Sequence, residues 1–138
     1  MKETKLAIGL FIGFAVAGLG IYFLEEFAKS FFEEFNHRPY QQKDLNDFMR
    51  GVPFKAFSYI ILARLSAIFT GTLIACKISG WNRYIPSIVI GVIMTALMYI
   101  DTMSAYNPTW YKACMIGLTM PTALLAQKIY LTIVTEPL

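Results

Sequence analysis

Charge is scarce in this sequence. Only 15% of its 138 residues are Asp, Glu, Lys or Arg, against about 25% in an ordinary soluble domain. Too few charges are present to clothe a water-facing surface. Histidine occurs once, as His37, and cysteine twice, as Cys76 and Cys114. That inventory offers no metal-ligand spacing and no disulfide framework. Both cysteines lie in apolar stretches, where a thiol behaves as a small hydrophobe. Glu33 and Glu34 beside His37 are a weak metal candidate and read better as a solvated face, so no metal or other cofactor is expected. Gly-x-Ser-x-Gly, phosphate-loop and dinucleotide signatures are missing, which argues against an enzyme. The net charge of +3 is small and dispersed, which argues against a nucleic-acid partner.

What the chain has instead is apolar surface: 57% of it is hydrophobic. Disorder and collagen are excluded, and an integral membrane protein remains. Leu6 to Leu24 contains no charge and approaches the ~20 residues a helical span needs. Met1 to Lys5 resembles the basic start of a signal peptide. The apolar run after it is too long for one, and Ala28-Lys29-Ser30 is a poor cleavage site. The second span is Ala56 to Cys76, interrupted only by Arg64. The third is Tyr84 to Ile100, with Pro86 in its first turn, where proline is tolerated. The fourth opens at Asn107-Pro108, a cap residue followed by a helix-starting proline, and runs from Thr109 to Val134. Inside it Pro121 removes a backbone donor and crowds Gly117, which predicts a kink. The expected fold is an all-α bundle of four transmembrane helices forming a single domain.

Glu25 to Lys55 is the one sizeable polar segment. Its start keeps helical period, with Phe27, Phe31, Phe32 and Phe35 on one face. The first helix is expected to continue past the bilayer or turn onto it as an extramembrane helical extension. His37-Arg38-Pro39 ends that run, and Gly51-Val52-Pro53 marks the entry to span two. Lys2, Lys5, Lys77, Arg83 and Lys128 sit in short tails and a tight loop. Lys29, Arg38, Lys43, Arg50 and Lys55 are spread along the polar segment, with Lys112 on the same side. That density favours both termini in the cytoplasm.

Arg64 is the most informative residue. It lies eight residues into its span, about 12 Å deep at 1.5 Å per residue. A charge there costs at least ~2.5–3.5 kcal/mol and must find protein or water. Glu25, Glu26 and Asp101 compete to pair with it, since an arginine can snorkel toward them. Two meanings stay open: a substrate- or anion-contacting charge in a cavity, or an ion pair that ties helices together.

Small residues recur every four positions: Gly9, Gly13 and Ala17; Ala63, Ala67, Gly71 and Ala75; Ser87, Gly91 and Thr95. Such stripes let helix backbones approach closely in lipid. They serve either one bundle or, for Gly9 and Gly13, a second copy or a larger partner. Pro121, Thr122 and Gln127 would make a kinked polar wall. Tyr22, Trp81, Tyr84, Tyr106, Trp110 and Tyr111 read as a belt at the membrane–water boundary.

The segments Tyr106-Asn107-Pro108-Thr109-Trp110-Tyr111 and Met120-Pro121-Thr122-Ala123, with Arg64-Leu65-Ser66 leading to Gly71, resemble a group of small bacterial four-helix membrane proteins. Those carry a His-Pro-x-Trp-Phe segment before the last helix; Asn107 stands here in place of the histidine. The resemblance covers roughly Ala63 to Lys128. It implies the same architecture and a bacterial inner-membrane location, and it implies no activity. Two functions are compatible with these features. One is a non-catalytic accessory subunit packing against other membrane proteins or further copies of itself. The alternative is an oligomeric small-solute or ion transporter built around Arg64. The near-absence of hydrogen-bonding side chains in the middles of spans one and three favours the subunit. A water-filled cavity reaching Arg64 would reverse that order.

Overall fold

A computed structural model describes residues 1–33, 35, 42–80, 84–104 and 106–135. The protein is all-helical, with no strand among the described residues. Its helices are α1 (Lys2–Lys29), α2 (Gln42–Arg50), α3 (Phe54–Ser79), α4 (Ile85–Ser104) and α5 (Thr109–Thr135). All but α2 are long and apolar enough to cross a membrane. They coincide with the expected spans, and their ends fall within five residues of the expected ones; the largest overruns are at both ends of α1 and at the end of α4.

Local sequence explains the ends. Pro53 is extended at φ −68° and ψ 152° and precedes the first residue of α3. Gly80 ends α3 in the left-handed region, φ 61°, and its N–H donates to the Cys76 carbonyl. Glycine reaches that conformation without a Cβ clash. At the end of α1, Ser30 turns its hydroxyl back to the Phe27 carbonyl at 2.6 Å.

This stop corrects the expected phenylalanine face. The helical period ends at Lys29, so Phe27 and Phe31 point outward, while Phe32 and Phe35 fold against the core. The helical extension is instead the separate short α2. Phe48 of α2 meets Phe35 edge-on, and Asn46 Oδ1 accepts the Tyr106 N–H at 2.9 Å. His37, Arg38 and Pro39, expected to end the first run, lie outside the described residues, as do Glu34, Trp81 and Arg83.

Helix α3 is the central element. Helix α1 packs along it in the antiparallel sense, α5 packs on it as well, and α4 packs on α5. Glycine sets the α1–α3 approach. A Cβ on Gly13 would fall 2.7 Å from the Gly71 carbonyl oxygen, and one on Gly9 would fall 2.8 Å from that of Ala75. Ala67 lies opposite Gly20, and Gly91 of α4 takes Met120 and Ala123 of α5. These small faces are used up inside one chain. The Gly9–Gly13 face is filled by α3, which removes the expectation that it meets a second copy.

Buried threonine hydroxyls are satisfied within their own helices. Thr72 donates to the Ile68 carbonyl at 2.8 Å, and Thr119 to that of Met115. In lipid this is the cheapest available partner. Cys76 and Cys114 are both free thiols. Near the other end of the bundle, Cys76 donates to Gln127 Oε1 at 3.0 Å.

Candidate functional site

The last turn of α1, the middle of α3 and the last turn of α4 converge on one ion cluster. Arg64 Nε donates to Glu25 Oε2 at 2.8 Å, and Arg64 Nη1 to Asp101 Oδ2 at 2.5 Å. Lys29 Nζ takes the remaining Glu25 oxygen at 2.7 Å. The order is therefore Lys29, Glu25, Arg64, Asp101. Arg64 and Lys29 are buried, whereas the Asp101 side chain is 51% exposed. Burial of a charge demands this pairing. Among the described residues every buried side-chain nitrogen or oxygen has a partner.

Glu26, the third competitor, is not drawn in. It sits on the exposed side of α1 and, among the described residues, pairs with Lys29 alone, at 3.5 Å. One step along a helix turns a side chain by 100°, and Glu25 has the position facing α3.

The cluster forms the floor of a cavity of about 160 Å³. Phe57 and Ile60 of α3, Tyr111 of α5 and Asn107 before it form its walls; Leu45 and Met49 of α2 cover it. Asp101 and Ser104 are its exposed rim. One turn further into the bundle, Ile68, Met94 and Met115 are fully or almost fully buried. The cavity therefore opens at the α2 end of the bundle and stops at Arg64. Arg64 Nη1 also rests 3.8 Å from Met98 Sδ.

Two members were missed in the sequence. Lys29 counts in the sequence only as one of the basic residues of the polar segment; its Glu25-x-x-x-Lys29 spacing is the available signal. Tyr111 was assigned to the boundary belt and instead turns inward, 3% exposed, against Phe57. Trp110 beside it stacks on Phe54 with ring centres 4.5 Å apart. Tyr22, Tyr84 and Tyr106 are exposed.

The polar wall on α5 does not form. The helix continues through Pro121, which faces outward; Thr122 bonds back to the Leu118 carbonyl, and Gln127 is buried against Cys76. Asn107 also reaches back to the preceding helix: its Nδ2 donates to the Thr102 carbonyl at 3.0 Å, in the last turn of α4.

No protein family, curated protein or solved structure matches the chain. The geometry itself has to carry the functional reading.

Proposed function

We propose that this multi-pass membrane protein is a non-catalytic small-solute transporter, seen open toward one side with Arg64 at the bottom of its binding cavity. The observation that carries this reading is the polar cavity ending on Arg64, which reverses the preference for an accessory subunit. The use of Gly9, Gly13 and Gly71 within the chain points the same way, because those faces were the visible means of gripping a partner. The density of basic residues in the short tails and tight loop supports both termini in the cytoplasm of a bacterial cell and the cavity on the outer face of its inner membrane.

A purely structural role has one observation in its favour: the ion cluster is satisfied internally. As an inert tie it would serve an accessory subunit equally well. The two readings part on whether the cavity holds anything. The protein is captured into nanodiscs from its own membrane, and small molecules released on denaturation are measured by mass spectrometry. Ser104→Trp blocks the rim without entering the core. A molecule retained by the native chain and lost from Ser104→Trp supports the transporter. Identical sets from both chains contradict it.

A further inference from the structure

The ion cluster has a second open side. A groove of about 290 Å³ lies between α1 and α4, lined by Gly18, Ile21, Tyr22 and Met98 and ending on the charged residues. These two helices barely touch, and a Cβ on Gly18 would meet nothing within 4 Å. The groove therefore opens sideways into the hydrocarbon of the bilayer. We propose that the solute is a monovalent organic cation with an apolar tail, its cationic head at Asp101 and its tail in this groove. The inference rests on the transporter reading above and names its ligand class.

Charge complementarity selects the head. Among the described residues, the charged ones lining the cavity and the groove are Glu25, Glu26, Asp101, Lys29 and Arg64, a net charge of −1. At the membrane boundary an uncompensated charge is expensive. One monovalent cation brings the group to neutrality, whereas an anion doubles the imbalance. Asp101 and Glu26 are the half-exposed carboxylates, at 51% and 58%, and so are the ones a cation can reach. The exposed Tyr22 ring adds a π face on the groove. The groove selects the tail, since its apolar lining gives nothing to a solute without one.

The test uses radiolabelled dodecyltrimethylammonium and the full chain in phosphatidylcholine nanodiscs, with empty nanodiscs as the partition baseline. One saturable site above that baseline is expected. Unlabelled probe should displace it; dodecyl sulfate and tetramethylammonium should not. Asp101→Asn should weaken binding by at least about tenfold, the effect of losing one charged contact. Gly18→Leu, which fills open space and leaves the core untouched, should do the same. Uptake equal to empty nanodiscs, displacement by dodecyl sulfate, or unchanged binding in Gly18→Leu would each overturn the inference. Failure here leaves the solute cavity standing if Ile60→Cys still reacts with a water-soluble thiol reagent. If Ile60→Cys is inert, the transporter reading fails with it.

Discussion

Glu25 divides its carboxylate between two cations: Oε1 receives Lys29 from the same helix and Oε2 receives Arg64 from α3. The split makes Glu25 the joint between a local ion pair and one that ties two helices. It also ranks the cluster's members by what each leaves stranded when removed.

Arg64→Leu strands Glu25, whose side chain is only 14% exposed. Breaking a buried pair on one side costs about 3–5 kcal/mol. Lys29 stays in place, so the lower end of that range is expected. Unfolding in detergent should show the loss, and Glu25→Gln, which also takes Lys29's nearer partner, should cost less on top of Arg64→Leu than in the native chain. Equal costs in the two backgrounds would show that Glu25 and Arg64 are not coupled.

Asp101→Asn should behave differently. Its half-exposed carboxylate is solvated, and ion pairs of that kind contribute about 0–1 kcal/mol. The same unfolding measurement should register a loss well below that of Arg64→Leu. An equal loss would mean that Asp101 is as dry as Glu25.

Gly13→Ile drives a branched side chain into the Gly71 carbonyl and Ala75. Overpacking of this kind costs about 1–3 kcal/mol, and here it meets backbone, which cannot step aside. Gly18→Leu, with open space around it, should leave stability unchanged. Thermal unfolding of the two variants side by side checks the packing; equal melting temperatures would contradict the α1–α3 contact.

Sidedness is read from cysteines added to a chain carrying Cys76→Ala and Cys114→Ala. Asp44 on α2 and Lys77 at the end of α3 are both exposed, which suits them for labelling; Ser79, buried against α1 near Gly9, does not. Asp44→Cys should react with a membrane-impermeant reagent in intact cells, and Lys77→Cys should not. The reverse pattern would invert the cavity.

The spans were legible because each is a long apolar run ended by charge, proline or glycine, and lipid leaves such a run little other than a helix. The partnership of Arg64 with Glu25 and Asp101 was legible for a related reason: a buried charge must find an opposite one, and three acids lay within its reach. The roles of Lys29 and Tyr111 were not. A lysine or tyrosine at a membrane boundary has the same sequence signature facing water as facing a cavity, and only packing of α3 against α1 and α5 decides which. The separate α2 was hidden too, since the helical period that runs on through Phe31, Phe32 and Phe35 gives no notice that α1 stops at Lys29.

The central claim is that water reaches Arg64 through the cavity at the α2 end of the bundle and goes no further into the core. Ile60 is 3% exposed and lines the cavity, and Ile68, one turn beyond Arg64, is fully buried. In the chain carrying Cys76→Ala and Cys114→Ala, Ile60→Cys should react with a small water-soluble thiol reagent under native conditions. Ile68→Cys should react only after unfolding. An inert Ile60→Cys would make the cluster a sealed tie between helices, and a reactive Ile68→Cys would place the floor of the cavity below Arg64; either result contradicts the account.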